Sequence, residues 1–309
     1  MNTTKKIVMA GCHETGWDLV KILLEHGIEF SYFVTITEEK ATDQKVSGYK
    51  SFEDLAAIYH IPVYFAKKYS LKDDLDIAFF RDQQFDLLVQ GGWQRLFPEI
   101  ILETLSIGAI GVHGSMDFLP FGRGRSPINW SLIEGRTRFI FQYFLMKPGV
   151  DDGEIFHYEM VDINQWDDCT TVYLKNSLVT AQVLKKYIPV LLSGNFTTYP
   201  QIGPSHYYEK RTREDGLINW EQDVFEIYNL VRAITKPYPG AYSEVNGEKM
   251  TIWKAQPFDT RTDTIQMKPG EIIWVAEDLK KFVVKCLGGS LLVNEFECCT
   301  AIHAGDIIK

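Results

Sequence analysis

Lys6-Ile7-Val8-Met9-Ala10-Gly11-Cys12-His13-Glu14-Thr15-Gly16, followed by Asp18-Leu19-Val20-Lys21-Ile22-Leu23-Leu24-Glu25-His26-Gly27, decides the fold. The short apolar run that breaks at Gly11 reads as a buried strand. The segment after it has apolar residues at helical spacing and stops at Gly27, a helix C-terminal signal. The same alternation continues outward, with strands expected over 30–36, 61–64, 85–90 and 109–113. Helices are expected from Ser51, with its acidic first turn, and over 98–105, with Pro98 at the start. Such alternation implies an α/β domain with a mostly parallel, Rossmann-like sheet covered on both faces. Sites in such sheets lie beyond the carboxyl ends of the strands, where Gly11, Gln90 and His113 fall.

The chain has 309 residues, enough for one large or two ordinary domains. The pattern changes at Tyr199-Pro200-Gln201-Ile202-Gly203-Pro204, which reads as a linker, so a catalytic domain over 1–200 and a second domain over 201–309 are expected. A helix over 220–234 is closed by Lys236-Pro237-Tyr238-Pro239-Gly240. Short apolar runs at 250–253, 271–275 and 282–285, with a hairpin signal at Asn246-Gly247, then read as a small β-barrel or sandwich.

With 45% apolar and 24% charged residues the chain is of ordinary globular composition, which excludes disordered and collagen-like classes. The net charge of −9 removes the basic excess that would make nucleic acid the default partner. Five cysteines with no CxxC spacing are a poor disulfide framework and read as reduced thiols. The apolar run before Cys12 is too short for a signal peptide, and no stretch approaches a membrane span. A cytoplasmic protein without membrane contact is expected.

Two stretches carry candidate chemistry. Gly11-Cys12-His13-Glu14-Thr15-Gly16 follows a strand and opens a helix, but its spacing is not that of a dinucleotide loop. A close backbone approach to a phosphate or sugar, and a plain tight turn, both fit. The second stretch places His113 at a strand end and Asp151 in Gly149-Val150-Asp151-Asp152-Gly153, with Gly122-Arg123-Gly124-Arg125-Ser126-Pro127 between them. A carboxylate beside an imidazole favours its protonated form and fixes its orientation, so the two make an acid/base pair or a purely structural one.

The second stretch resembles the folate-dependent formyltransferase family in its His-x-Ser, Arg-Gly-x-x-Pro-Ile and Gly-x-Asp-x-Gly segments. Val89-Gln90-Gly91-Gly92-Trp93-Gln94-Arg95-Leu96-Phe97-Pro98 is similar to the family's folate-pocket turn, and its Gly-Trp resembles the branch that formylates amino sugars on nucleotides. The run 210–220 and the run 229–241 resemble the entry to the family's C-terminal domain, an OB-like β-barrel in methionyl-tRNA formyltransferase. The resemblance implies formyl transfer from 10-formyltetrahydrofolate to an amine, without a metal. His113 would donate to the oxyanion, and Asp151 would hold His113 charged and help move the proton. On the same resemblance Gln90, Gly92, Trp93, Leu96 and Asp152 are expected to meet the folate. Gly11, His13, Ser115, Arg123 and Arg125 are expected to meet the acceptor.

Three departures stand out. The family has an Asn two residues before its His, and this chain has Gly111. Losing one oxyanion donor costs on the order of 10²–10³ in rate, so Gln142, on a strand expected beside His113, is the candidate replacement. The 116–120 loop is about two residues longer than in the family pattern, and Lys147-Pro148 stands where a carboxylate is usual. Residues 205–309 hold 13 Lys and Arg against 16 Asp and Glu, and 34–50 shows no basic excess. Both facts argue against tRNA and for a small acceptor, an amino sugar on a nucleotide, including sugars of the pseudaminic type. Methionyl-tRNA formyl transfer, and a formyl-folate hydrolase or non-transferring folate binder, are the alternatives. A homodimer is a further expectation.

Overall fold

The computed structural model describes residues 5–46, 48–261 and 266–309. Its contacts gather the chain into two compact units built from discontinuous segments. One takes the described residues of Met1–Arg123, Ile140–Met160 and Leu174–His206; the other takes those of Gly124–Phe139, Val161–Tyr173 and Tyr207–Lys309.

The first unit is built on β1 (Ile7–Gly11), β2 (Tyr32–Thr35), β3 (Val63–Phe65), β4 (Leu87–Gly91) and β5 (Gly108–Ser115), which pair in parallel in the order β3-β2-β1-β4-β5. The two-residue strand β6 (Arg123–Gly124) lies outside this sheet. β7 (Arg138–Met146) adds antiparallel to β5, and β8 (Gly153–Asp162) completes a seven-stranded sheet. Val8, Met9, Leu87, Leu88, Val89 and Ile110 are fully buried, as continuous apolar runs covered on both faces must be. The expected strands are all present, shifted by one or two residues at their ends. Helix α1 (Glu14–Glu25) begins earlier than the expected 18, because His13 caps it. Helices α2 (Glu38–Asp43), α3 (Glu53–Ile58), α4 (Asp74–Gln83) and the four-residue α5 (Glu99–Leu102) follow in the same unit. Of these, α2 and α4 were not foreseen from the sequence.

Helix α6 (Pro127–Ile133) and the start of α7 (Cys169–Ser193) belong to the second unit, and α7 from Leu174 onward to the first. Within the second unit the α6 residue Asn129 donates to the carbonyl of Ala233 on α8 (Val224–Ala233), at 2.6 Å. Helix α8 starts later than the expected 220, at a capping box formed by Asp223 and Glu226. After the two-residue strand β9 (Tyr207–Tyr208) come β10 (Ala241–Val245), β11 (Glu248–Asp259), β12 (Ile272–Ala276), β13 (Lys281–Cys286) and β14 (Gly289–Cys298). The last five strands form an antiparallel sheet in the order β10-β11-β14-β13-β12. Asn246 and Gly247 both have positive φ and close the β10–β11 hairpin, as a two-residue primed turn requires. No helix among the described residues is long and apolar enough to cross a membrane.

The sheet positions its strand ends through one close approach. Gly11 and Gly16 both press on the backbone of Gly91, and a Cβ at either would collide with the Gly91 carbonyl. In most helices Gly→Ala gains about 0.8–1.0 kcal/mol. At Gly16 the sign reverses: Gly16→Ala is expected to lower unfolding stability by about 1–3 kcal/mol, read from the denaturant midpoint.

Candidate active site

The order β3-β2-β1-β4-β5 puts a topological switch between β1 and β4, whose carboxyl ends are Gly11 and Gly91, and His113 lies near the carboxyl end of β5 beside them. His113 lies on β5 and is buried. Its Nδ1 is 3.3 Å from Asp151 Oδ1, and its Nε2 is 2.8 Å from the Gly122 carbonyl oxygen. A carbonyl accepts only, as does an ionised carboxylate. The ring therefore has an acceptor against each nitrogen: a carbonyl in hydrogen-bond range of Nε2 and a carboxylate in ion-pair range of Nδ1.

Asp151 is held by its turn. It has positive φ between Gly149 and Gly153, and a Cβ at Gly153 would strike the Leu145 carbonyl. Its carboxylate keeps 23% of its exposure, so it reaches the ring from the solvent side. The turn is closed by Lys147 N–H donating to the Asp152 carbonyl at 2.9 Å, while the Lys147 ammonium pairs with Glu154 at 3.0 Å.

Gly111 does not leave a gap. It pairs across the ladder with Phe144, and a Cβ at Gly111 would stand 2.6 Å from Phe144 Cζ. The aromatic ring occupies the place a side chain would take. Gln142 pairs with His113 in register, as expected for neighbouring strands, but it is no replacement donor. It is fully buried; its Oε1 accepts from Leu119 N–H at 2.9 Å and its Nε2 donates to the Asp117 carbonyl at 3.3 Å. Both ends of the amide are committed to the long 116–120 loop, whose length explains the need for them.

Other expected residues also have different duties. Ser115 is fully buried and donates to the Phe121 carbonyl at 2.7 Å, so it shapes the loop and does not face an acceptor. Arg123, with a side chain 10% exposed, donates to Asp152 Oδ1 at 3.0 Å and to Gln201 Oε1, so its charge is not free for a substrate anion. Asp152 is drawn toward that guanidinium. Trp93 is 2% exposed and packs in the core beside Tyr69 and Phe97, so it is not a pocket wall. Gln90 donates to the Trp93 carbonyl at 3.1 Å and fixes the turn. Gly92 has positive φ and lies against His13, while Leu96 projects, 58% exposed. Gly11 is buried against Gly91 and presents no open backbone on that side. Arg125 is exposed and belongs to the second unit.

His13 caps α1: Thr15 N–H donates to its Nδ1 at 3.2 Å, and Thr15 Oγ1 lies 2.9 Å away. Burial lowers its pKa, partly offset by Glu14, which favours the neutral acceptor that the cap requires.

One residue was missed by sequence reasoning. Gln201, read as part of a linker, donates from Nε2 to the carbonyls of Asp151 and Gly153, each at 3.0 Å. Nothing local in a Pro/Gly-rich run marks a contact 50 residues away in sequence.

A strand-end imidazole–carboxylate pair on a Rossmann-like sheet, followed by an antiparallel β unit, defines the class of this protein. The chain belongs to the formyl transferase family: residues 29–188 match the model described as "Formyl transferase", and 210–309 match "Formyl transferase, C-terminal domain". Solved structures share the fold. An N-formyltransferase from Helicobacter canadensis, in complex with folinic acid and dTDP-3-aminofucose, is 17% identical with a TM-score of 0.65, over 95% of this chain and 100% of that one. A 4-N formyltransferase from Francisella tularensis is 19% identical with a TM-score of 0.60, over 77% and 91%. HypX from Aquifex aeolicus, in complex with tetrahydrofolic acid, is 16% identical with a TM-score of 0.63 over 96% of this chain, which spans 45% of HypX.

Two outcomes follow from the geometry. Gly111→Asn is expected to destabilise by about 1–3 kcal/mol through overpacking, and Phe144→Ala in the same chain to recover part of that loss. A denaturant double-mutant cycle measures the coupling. For His13, the neutral form is favoured in the folded state, so the unfolded chain binds more protons once pH falls below its ordinary value of 6.5. Stability attributable to this group is therefore full above that pH and lost below it. His13→Asn, which keeps an acceptor cap, is expected to flatten the fall of Tm between pH 7 and 5.

Proposed function

We propose that the protein is an N-formyltransferase that moves a formyl group from 10-formyltetrahydrofolate to the amine of a nucleotide-linked amino sugar. The observation that carries this reading is the pairing of buried His113 with half-buried Asp151 near the end of β5 in a chain of this family. The similarity of the fold to structures solved with a folate and an amino sugar on dTDP supports the choice of partners. The deficit of basic residues in 205–309 argues for a small acceptor over tRNA.

In this reading the turn after β4 takes the flat folate ring. Its backbone is fixed by Gln90, Gly92 carries no side chain, and Leu96 offers one projecting apolar surface. The folate supplies the formyl carbon. The new bond joins that carbon to the acceptor nitrogen, the bond to N10 breaks, and the proton lost by the amine ends on N10. In this reading His113 directs its Nε2 proton from the Gly122 carbonyl to the oxygen that gains charge, the position where a fixed donor acts most strongly. Asp151 keeps the ring charged and in its plane, and accepts the amine proton on its way to N10.

The test is incubation with 10-formyltetrahydrofolate and a panel of UDP-, dTDP-, GDP- and CMP-linked amino sugars, including a precursor of pseudaminic type. Mass spectrometry reads the gain of one formyl group. A product on one sugar is expected, with turnover lowered about 10²–10⁴-fold in His113→Ala and Asp151→Asn. Formate release without a formylated amine would replace this reading with a hydrolase, and product on methionyl-tRNA alone would replace the acceptor.

A further inference from the structure

His113 is gripped from two sides by segments far apart in sequence. Asp151, from the turn that ends at Gly153, meets Nδ1, and Gly122, from the loop 116–123, meets Nε2. A third segment, 198–206, ties these two together. Tyr199 pairs with Ile155 through reciprocal backbone hydrogen bonds of 2.8 Å, which lays the segment along the start of β8. Thr198 donates to Glu154 Oε2 on the same strand. At the other end, His206 N–H donates to the Pro120 carbonyl at 3.1 Å, Arg123 N–H donates to the His206 carbonyl at 3.0 Å, and the His206 ring stacks on Phe121 at 4.4 Å. Between these anchors stands Gln201. Its amide nitrogen holds the carbonyls of Asp151 and Gly153, and its amide oxygen accepts from Arg123 Nε at 3.2 Å.

We infer that Gln201 is a positioning residue for the reaction proposed above: it fixes the Asp151 turn against the Gly122–Arg123 loop, and so sets the spacing of the two acceptors that face the His113 ring. The reason is chemical. Asp151 sits at positive φ, a conformation that costs a non-glycine residue about 1–3 kcal/mol and persists only where surroundings enforce it. The carbonyls of Asp151 and Gly153 flank the strained turn, and one side-chain amide with two donor hydrogens satisfies both. The same amide, through its oxygen, orients the guanidinium that pairs with Asp152. No aliphatic side chain of similar length performs either task. A carboxylate performs only the second, and it sets negative charge against two carbonyl oxygens.

The inference rests on the proposed reaction for its kinetic consequence, though not for its structural one. Gln201→Met keeps the volume and removes all the hydrogen bonds. Gln201→Glu keeps the acceptor for Arg123 and removes the donors. Two readouts are compared with the wild-type full chain. In the substrate-free protein, 15N-edited NMR follows the ring proton between His113 Nδ1 and Asp151, assigned by its loss in His113→Gln. In the assay, kcat and KM are measured for folate donor and sugar acceptor. The expected result is loss or broadening of the ring-proton signal in both variants. With it, kcat falls at least about tenfold, KM for both substrates stays within twofold, and Tm changes by only a few degrees, as misplacement of a catalytic group predicts. A ring signal and kcat equal to wild type in Gln201→Met would overturn the assignment, as would a rise in KM alone. Full retention in Gln201→Glu would overturn the carbonyl clamp. A wild-type chain that formylates no amine, with the ring signal still lost in Gln201→Met, would sink the proposed reaction and uphold the brace.

Discussion

An imidazole with an acceptor on each nitrogen constrains everything around it. His113 meets a carboxylate on one side and a carbonyl on the other, and the two acceptors come from loops about thirty residues apart in the chain. A ring so placed holds its orientation only if both loops hold theirs. The sheet supplies the first part of the answer: β5 and β7 are zipped antiparallel from Ile110–Leu145 to Ser115–Ile140, so the base of each loop is rigid. The loops supply the rest by spending polar side chains on backbone. Ser115 takes the Phe121 carbonyl, Gln142 takes Leu119 and Asp117, and Gln201 takes Asp151 and Gly153. The buried Ser115 and Gln142 each satisfy backbone groups that would otherwise cost about 1–3 kcal/mol unpaired, and the half-buried Gln201 does the same for the Asp151 turn.

This pattern explains which parts of the molecule the sequence discloses. The parallel strands are legible because strands covered on both faces are continuous apolar runs bounded by glycine, and β1, β4 and β5 are of that kind. The hairpin at Asn246-Gly247 is legible because two positive φ angles in succession demand those residues. Helix α7 is harder to read. Pro189 lies inside it, and proline ordinarily marks a helix end. Its buried face of Ala181, Leu184, Ile188 and Leu191 keeps the helical spacing through that position.

At the site, His113 and Asp151 were legible, the first from a strand end and the second from its glycine-flanked turn. Residue type misleads where a polar group can serve either substrate or backbone. Arg123 reads as a cation for an anionic ligand, yet it is buried against Asp152 and Gln201. Ser115 reads as a hydroxyl for an acceptor, yet it closes a loop. Trp93, which the resemblance places against the folate, is claimed by the core, where its large apolar surface is buried beside Tyr69 and Phe97. Gln201 lies at the opposite extreme: its function depends wholly on where the chain returns, and no local pattern encodes that.

The exchange at Gly111 is best understood as a change of two positions, not one. A missing side chain in a packed sheet would leave a void, and voids of side-chain size destabilise in proportion to their volume. Here Phe144 fills that volume from the facing strand, and a Cβ at Gly153 would approach Phe144 Cδ2 to 3.0 Å, so the ring is confined from β8 as well. Glycine at 111 and at 153 are therefore conditions for Phe144. The place a side chain at 111 would take, two residues before His113 on the same strand, is filled by an aromatic ring and offers no polar group. In the reaction proposed above, a site arranged in this way would leave His113 to stabilise the developing charge without help from residue 111, so the accuracy with which Asp151 and its supporting turn hold the ring would matter correspondingly more.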